Sequence, residues 1–306
     1  MNKTETYTRI EEKYREMGEN PETYLKGLLH ARPLTYWDYI EVDTLLSLQK
    51  PRTDFKDEEI FIMYHQVTEL ILKMMVHELK QLSEEAFVEE TWITKLTRLN
   101  RYTSMLITSF DVMKYGMSYE DYNTFRSTLA PASGFQSVQF RHIELYCTRV
   151  KNLVPARYRS KLPEQPETAD YFKYLYWKDA GYNRETGKKT LTLTQFETKY
   201  EAGLLELATQ LKGRTLEERI ENASPCSDAL LAKLKEFDHL YNVAWPIVHL
   251  ETAQHYLDAR GENQAATGGS EWKKYLHPSY QQRRFFPGVW TEGEITLWGR
   301  QETTEL

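Results

Sequence analysis

The chain has 306 residues, 41% of them hydrophobic and 27% charged, with 39 basic and 45 acidic side chains. That length supports a large core without a staple, and the charged fraction with ample apolar content excludes a disordered chain. A net charge of −6 makes a poor partner for phosphate backbones, so no nucleic acid is expected, and Cys147 and Cys226 alone cannot form a disulfide framework or a zinc-thiolate site. No secretory leader and no apolar run of membrane-spanning length is read, so the expectation is a soluble, cytoplasmic protein in a reducing compartment, with no membrane partner. Aromatics reach 13%, with 21 Tyr and 7 Trp, a supply that suits an aromatic pocket or a subunit interface.

The elements read as helices nearly throughout. Only 14 Gly and 11 Pro leave few turns for a many-stranded fold, and no stretch alternates convincingly with period 2. Residues 4–17 predict an exposed, charged helix. Asn20-Pro21 caps a second, to about His30, and Thr35 to Gln49 predicts a third. Asp57 is read as the cap of a long helix to about Glu85, with a stripe of Ile60, Tyr64, Val67, Ile71, Met74 and Leu82 widened by Leu70, Met75 and Leu79. Another long helix spans 91–115. Ser118 caps a short one through Leu129, with Glu120 and Asp121 in its first turn, and the small residues 130–134 form a loop.

A helix resumes near Ser137 and runs to Val150. From Pro155 to Thr192 the chain turns charged and Tyr-rich, which reads as a surface insertion in a single domain covering 1–306. Helical periodicity returns at 193–211 and again at 226–258, where Pro246 predicts a kink or local break. Arg260 to Gly269 is a polar loop, and Phe285-Phe286-Pro287 leads to a short amphipathic end at Trp298.

Few residues offer chemistry. The eight histidines give neither zincin spacing nor the paired Glu-x-x-His of a di-iron bundle, since only Glu236 to His239 fits. His249 and His255 are six apart and so on different helix faces, which leaves a single-histidine haem ligand as the open metal option. His65 and His249 both sit in apolar surroundings, one turn from Phe61 and Trp245. Spacing alone fits two core histidines hydrogen-bonded to backbone or carboxylate better than a functional site. Arg126, beside Phe125, is either a surface partner of Asp121 or Glu120 or a clamp for a carboxylate. Thr267 to Ser270 is a turn whose amides can face an anion. No nucleophile elbow, Walker loop or dinucleotide fingerprint occurs.

Four stretches together resemble the tryptophan 2,3-dioxygenase family: LTYWDYIEVDTLLSLQ (34–49), EEIFIMYHQVTELILKMMVHEL (58–79), YNTFRSTLAPASGFQSVQFRHIEL (122–145), and WPIVH (245–249) with TGGS (267–270). The resemblance implies an all-α helical bundle around a haem b pocket, in which both atoms of O2 enter the indole C2–C3 bond of L-tryptophan to give N-formyl-L-kynurenine, feeding the kynurenine route. It implies His249 as the proximal iron ligand and His65 as the distal residue that accepts the indole N–H. Phe61 would pack on the indole, Arg126 with Tyr122 would hold the carboxylate, and Thr267 would meet the ammonium or carboxylate end. Ser133 and Gly134 would line the haem pocket near O2. Tyr36, Tyr39 and Ile40 match residues that enter a neighbouring subunit's site, implying a homotetramer. Two departures stand out: the stretch from His249 to Thr267 is longer than usual, and Ala266 replaces a common Gly. His255 is therefore an alternative ligand. Two other functions stay open: a related haem oxygenase acting on tyrosine or another indole, and a non-catalytic helical module that binds an aromatic ligand.

Overall fold

The computed structural model describes residues 2–129, 136–183, 186–223, 225–257 and 277–300. Among these the structure is all-α, with no strand and a single antiparallel bridge between Tyr182 and Lys189. The chain divides into two compact units, residues 1–50 and 51–306.

In the first unit, α1 (Lys3–Glu16) buries nothing, and its Asn2 side chain accepts from the Glu5 amide. α2 (Pro21–Leu28) starts as expected, with the Asn20 side chain accepting from Glu22 and Pro21 in the first turn. The third expected helix is broken into α3 (Tyr36–Ile40) and α4 (Val42–Leu45). Glu41 between them has φ 53°, a left-handed conformation that ends a helix and that periodicity does not reveal.

In the second unit, α5 (Asp57–Glu84) and α6 (Glu89–Tyr115) pack against each other and form the frame. Asp57 does not cap its own helix. Its carboxylate accepts the Ser118 amide at 2.5 Å, while Glu58 takes the Arg52 and Thr53 amides at 2.9 and 2.8 Å. The buried face of α5 is Tyr64, Ile71, Leu72, Met75, Leu79 and Leu82. Val67, Leu70 and Met74, expected in the stripe, are exposed and form with Met63 a second apolar row at i, i+4, i+7 and i+11. Between the two helices Glu78 binds Lys95 and Arg98, each at 3.0 Å, and Lys95 also donates to Gln81 at 2.6 Å.

α7 (Tyr119–Phe125) is capped by Ser118 and runs into a 3₁₀ turn, Arg126–Leu129. α8 (Val138–Cys147), capped by Ser137, packs on α5. The tyrosine-rich stretch holds α9 (Ala156–Arg159) and α10 (Thr168–Phe172), and it is not all surface. Phe172, Leu175, Tyr176 and Trp177 belong to the main core. α11 (Leu191–Phe196) continues through a π turn, Glu197–Glu201, into α12 (Ala202–Gln210), and α13 (Leu216–Ala223) follows.

α14 (Asp228–His239) and α15 (Trp245–Leu257) both pack on α6 and are joined by a second π turn, Leu240–Ala244. The break expected at Pro246 takes this form. Pro246 has no N–H for the Asn242 carbonyl, so the chain loses little by widening the turn just before it. The C-terminal segment carries α16 (Pro278–Gln281) and α17 (Glu292–Thr296), and its Phe285 and Phe286 are buried in the core.

Candidate active site

The frame brings the two apolar-context histidines together. His65 projects from α5 and His249 from α15. Both keep accessible ring surface while their helices are anchored by buried neighbours, Tyr64 on one and Trp245, Ile247 and Leu250 on the other. Burial pushes the His249 pKa down to about 4, and the charge of a protonated His65 pushes the same way. The two rings are thus near enough for their charges to interact, and His249 is a neutral imidazole at pH 7. A chain of rings connects them: His65 to Tyr64 at 5.3 Å, Tyr64 to Phe110 at 5.9 Å, and Phe110 to His249 at 5.4 Å.

The tautomer of His65 follows from its partner. Its Nδ1 lies 2.7 Å from the Phe61 carbonyl, which can only accept, so the proton sits on Nδ1 and Nε2 is left as an acceptor. Burial lowers the His65 pKa, and the Phe61 bond offsets part of that shift. Phe61 also packs its ring 4.2 Å from the imidazole. It stands 6.0 Å from Tyr122 and 5.8 Å from Phe125, so α7 forms the next wall.

Arg126 follows Phe125 at the start of the 3₁₀ turn and is half-buried. Burial raises the Tyr122 phenol pKa, and the Arg126 charge opposes it, so the two side chains share one electrostatic environment. Tyr256, not singled out in the sequence, completes this wall. Its ring lies 4.2 Å from Tyr122, and its hydroxyl donates to the Met113 carbonyl at 2.5 Å. The signal was present: Tyr256 is seven residues after His249, two helical turns along the same face. His255 points elsewhere, with its ring against Tyr115 at 6.3 Å and Tyr119 at 6.4 Å.

Thr267, Ser133 and Gly134 lie outside the described residues. Tyr36, Tyr39 and Ile40 belong to the first unit and are exposed, the two tyrosines by 72% and 74%. Among the described residues no three His, Cys, Asp or Glu side chains gather to hold a metal ion, and no helix is long and apolar enough to cross a membrane. A separate cavity of about 500 Å³ is lined by Arg157, Tyr158, Tyr174, Asp179 and Tyr280, among others, and by none of the residues above. Its Arg157 is paired with Asp179.

The described residues define an all-α protein in which His65 and His249, linked through Tyr64 and Phe110, stand beside an aromatic wall edged by Arg126. The chain belongs to the tryptophan 2,3-dioxygenase family, whose model matches residues 27–204. A curated tryptophan 2,3-dioxygenase from Bacillus thuringiensis (strain Al Hakam) is 28% identical over 297 residues, covering 90% of this chain and 98% of the relative. The Caulobacter vibrioides protein of the same name is 30% identical over 281 residues, covering 85% and 98%. One from Anaeromyxobacter sp. (strain K) reaches 41% over 117 residues, 38% of this chain and 44% of the relative.

Proposed function

We propose that this chain is a haem-dependent tryptophan 2,3-dioxygenase that converts L-tryptophan and O2 to N-formyl-L-kynurenine. The observation that carries the reading is the complementary state of the two cleft histidines. His249 offers a neutral, accessible imidazole, and His65 faces the same space with Nε2 as an acceptor. Haem iron takes its equatorial bonds from the porphyrin and needs one protein ligand, which a neutral His249 can supply. The residues present therefore fit a haem held by His249. Bound ferrous haem supplies the binding and polarisation of O2.

The chain's own residues then place the substrate. Arg126 takes the carboxylate bidentately, beside Tyr122. Phe61 lies against the indole, and His65 Nε2 accepts the indole N–H, which fixes the ring plane. The aromatic wall of Phe61, Tyr122 and Phe125 excludes water. The indole C2–C3 bond breaks, and each carbon gains one oxygen. No water leaves, so His65 serves to orient the ring and is not an obligatory base. Thr267 at the substrate head group, and Ser133 and Gly134 beside the haem, enter through the family resemblance.

The active form is a cytoplasmic homotetramer, in which Tyr36, Tyr39 and Ile40 enter a neighbouring copy's site. The exposure of these side chains, and the exposed row Met63, Val67, Leu70 and Met74 on α5, support burial against a second copy. The test is aerobic turnover by the hemin-loaded, reduced protein, with L-tryptophan, L-tyrosine and substituted indoles offered in parallel. Formation of N-formylkynurenine from tryptophan supports the reading. A normal haem spectrum with turnover of another substrate alone overturns it.

A further inference from the structure

The helix that carries His249 is not a plain α-helix. In an unbroken one, His249 would follow Asp238 by eleven positions, roughly 20° from the same face at about 100° per residue. The wide turn Leu240–Ala244, closed by the Trp245 amide on the Leu240 carbonyl, adds one residue and moves His249 about 100° round the axis. That rotation separates two jobs on one helix. The Asp238 side faces the C-terminal segment at Phe285, and the His249 side faces Phe110.

The wide turn is held by polar groups. Asp238 is fully buried, and its carboxylate accepts four bonds: from Asn242 Nδ2 at 2.8 Å, the Phe285 amide at 2.8 Å, the Phe286 amide at 3.2 Å and Trp290 Nε1 at 2.8 Å. The first ties Asn242, inside the wide turn, back to the helix before it, and the other three tie the C-terminal segment at Phe285, Phe286 and Trp290 to the same carboxylate. Val243 in the turn and Ile247 after it pack with Trp298 of the C-terminal segment. The other π turn, Glu197–Glu201, is also held by polar groups: Lys178 bridges its first and last residues, Glu197 and Glu201, at 2.8 and 2.9 Å.

We propose that Asp238 and Asn242 are positioning residues that hold the wide turn at 240–244 and so aim the His249 imidazole into the cleft. The inference deepens the haem reading, since His249 is the ligand there, but the aim of the ring can be read without haem.

The experiment uses the full chain with Asn242→Ala and, separately, Asp238→Asn. Glu217→Gln serves as a control, because it removes a buried carboxylate that serves Thr148, Arg149 and Asn152 in another part of the unit. In haem-free protein with labelled His and Phe rings, the wild type and the control show a nuclear Overhauser contact between His249 and Phe110. Asn242→Ala weakens or loses it while keeping its helical circular dichroism. On hemin titration the same variant loses about tenfold or more in affinity and changes its ferric electron-paramagnetic signature. The control shows neither effect, even with a lower melting temperature. An unchanged ring contact and unchanged hemin affinity in Asn242→Ala overturn the proposal, whether or not Asp238→Asn folds. If the wild type takes up no hemin, the haem reading fails, and the ring contact alone decides this one.

Discussion

The ring of Tyr256 lies 4.2 Å from that of Tyr122, and this contact joins the helix bearing His249 to the helix that leads into Arg126. The aromatic wall of α7 and the helix bearing His249 are thereby coupled through one aromatic pair. The Tyr256 hydroxyl is anchored on the Met113 carbonyl of α6, so its side of the pair is fixed.

Tyr256→Phe leaves the buried Met113 carbonyl without this donor and costs about 1 kcal/mol of stability, read by urea unfolding. Tyr256→Ala also frees Tyr122 to move, and KM for L-tryptophan rises more than kcat falls. An unchanged KM in Tyr256→Ala would separate the wall from substrate binding.

Arg126→Leu removes a charge-assisted bidentate contact worth about 1.5–3 kcal/mol, so kcat/KM for L-tryptophan falls roughly tenfold to a hundredfold. Indole compounds without a carboxylate lose nothing by the substitution. Equal losses for both kinds of substrate in steady-state assays would remove Arg126 from the carboxylate role.

His65→Ala removes an orienting acceptor and keeps substantial turnover, because Phe61 and Arg126 still hold the ring and the carboxylate. The expected pattern is a raised KM with a smaller change in kcat. Complete loss of turnover with intact hemin binding would make His65 essential to the chemistry.

Acid stability reports on Glu78. Burial pushes its carboxyl up, but the bonds and charges of Lys95 and Arg98 outweigh that and leave it below the ordinary value of 4.5. The folded state thus holds its proton less tightly than the unfolded one. Its contribution is present above pH 4.5 and fades as pH falls through the folded pKa. Glu78→Gln strands the buried Lys95 charge and costs about 3 kcal/mol at neutral pH. It also flattens the acid limb, as urea melts at several pH values will show.

Local signals in the sequence reach the helices and most of their starts, because Asn20, Ser118 and Ser137 satisfy amides within their own first turns. They do not reach Asp57, whose partner is the amide of Ser118 in a different helix. Nor do they reach the left-handed Glu41, or the choice between the two apolar rows of α5, since Ile71 and Val67 differ only in what packs on them. His65 and His249 were legible as candidates from their apolar neighbours. Their meeting depends on α6 bringing Phe110 between α5 and α15, and on a wide turn that no periodicity announces. Tyr256 was hidden for the opposite reason, since it carries the right spacing but no distinctive residue type.

The most direct test of the account is turnover of L-tryptophan by the hemin-loaded, ferrous protein under ¹⁸O2, with the product read by mass. The account predicts N-formylkynurenine with both new oxygens labelled, and loss of that product in His249→Ala but not in His255→Ala. A product with one labelled oxygen, or one formed equally well without His249, would contradict it.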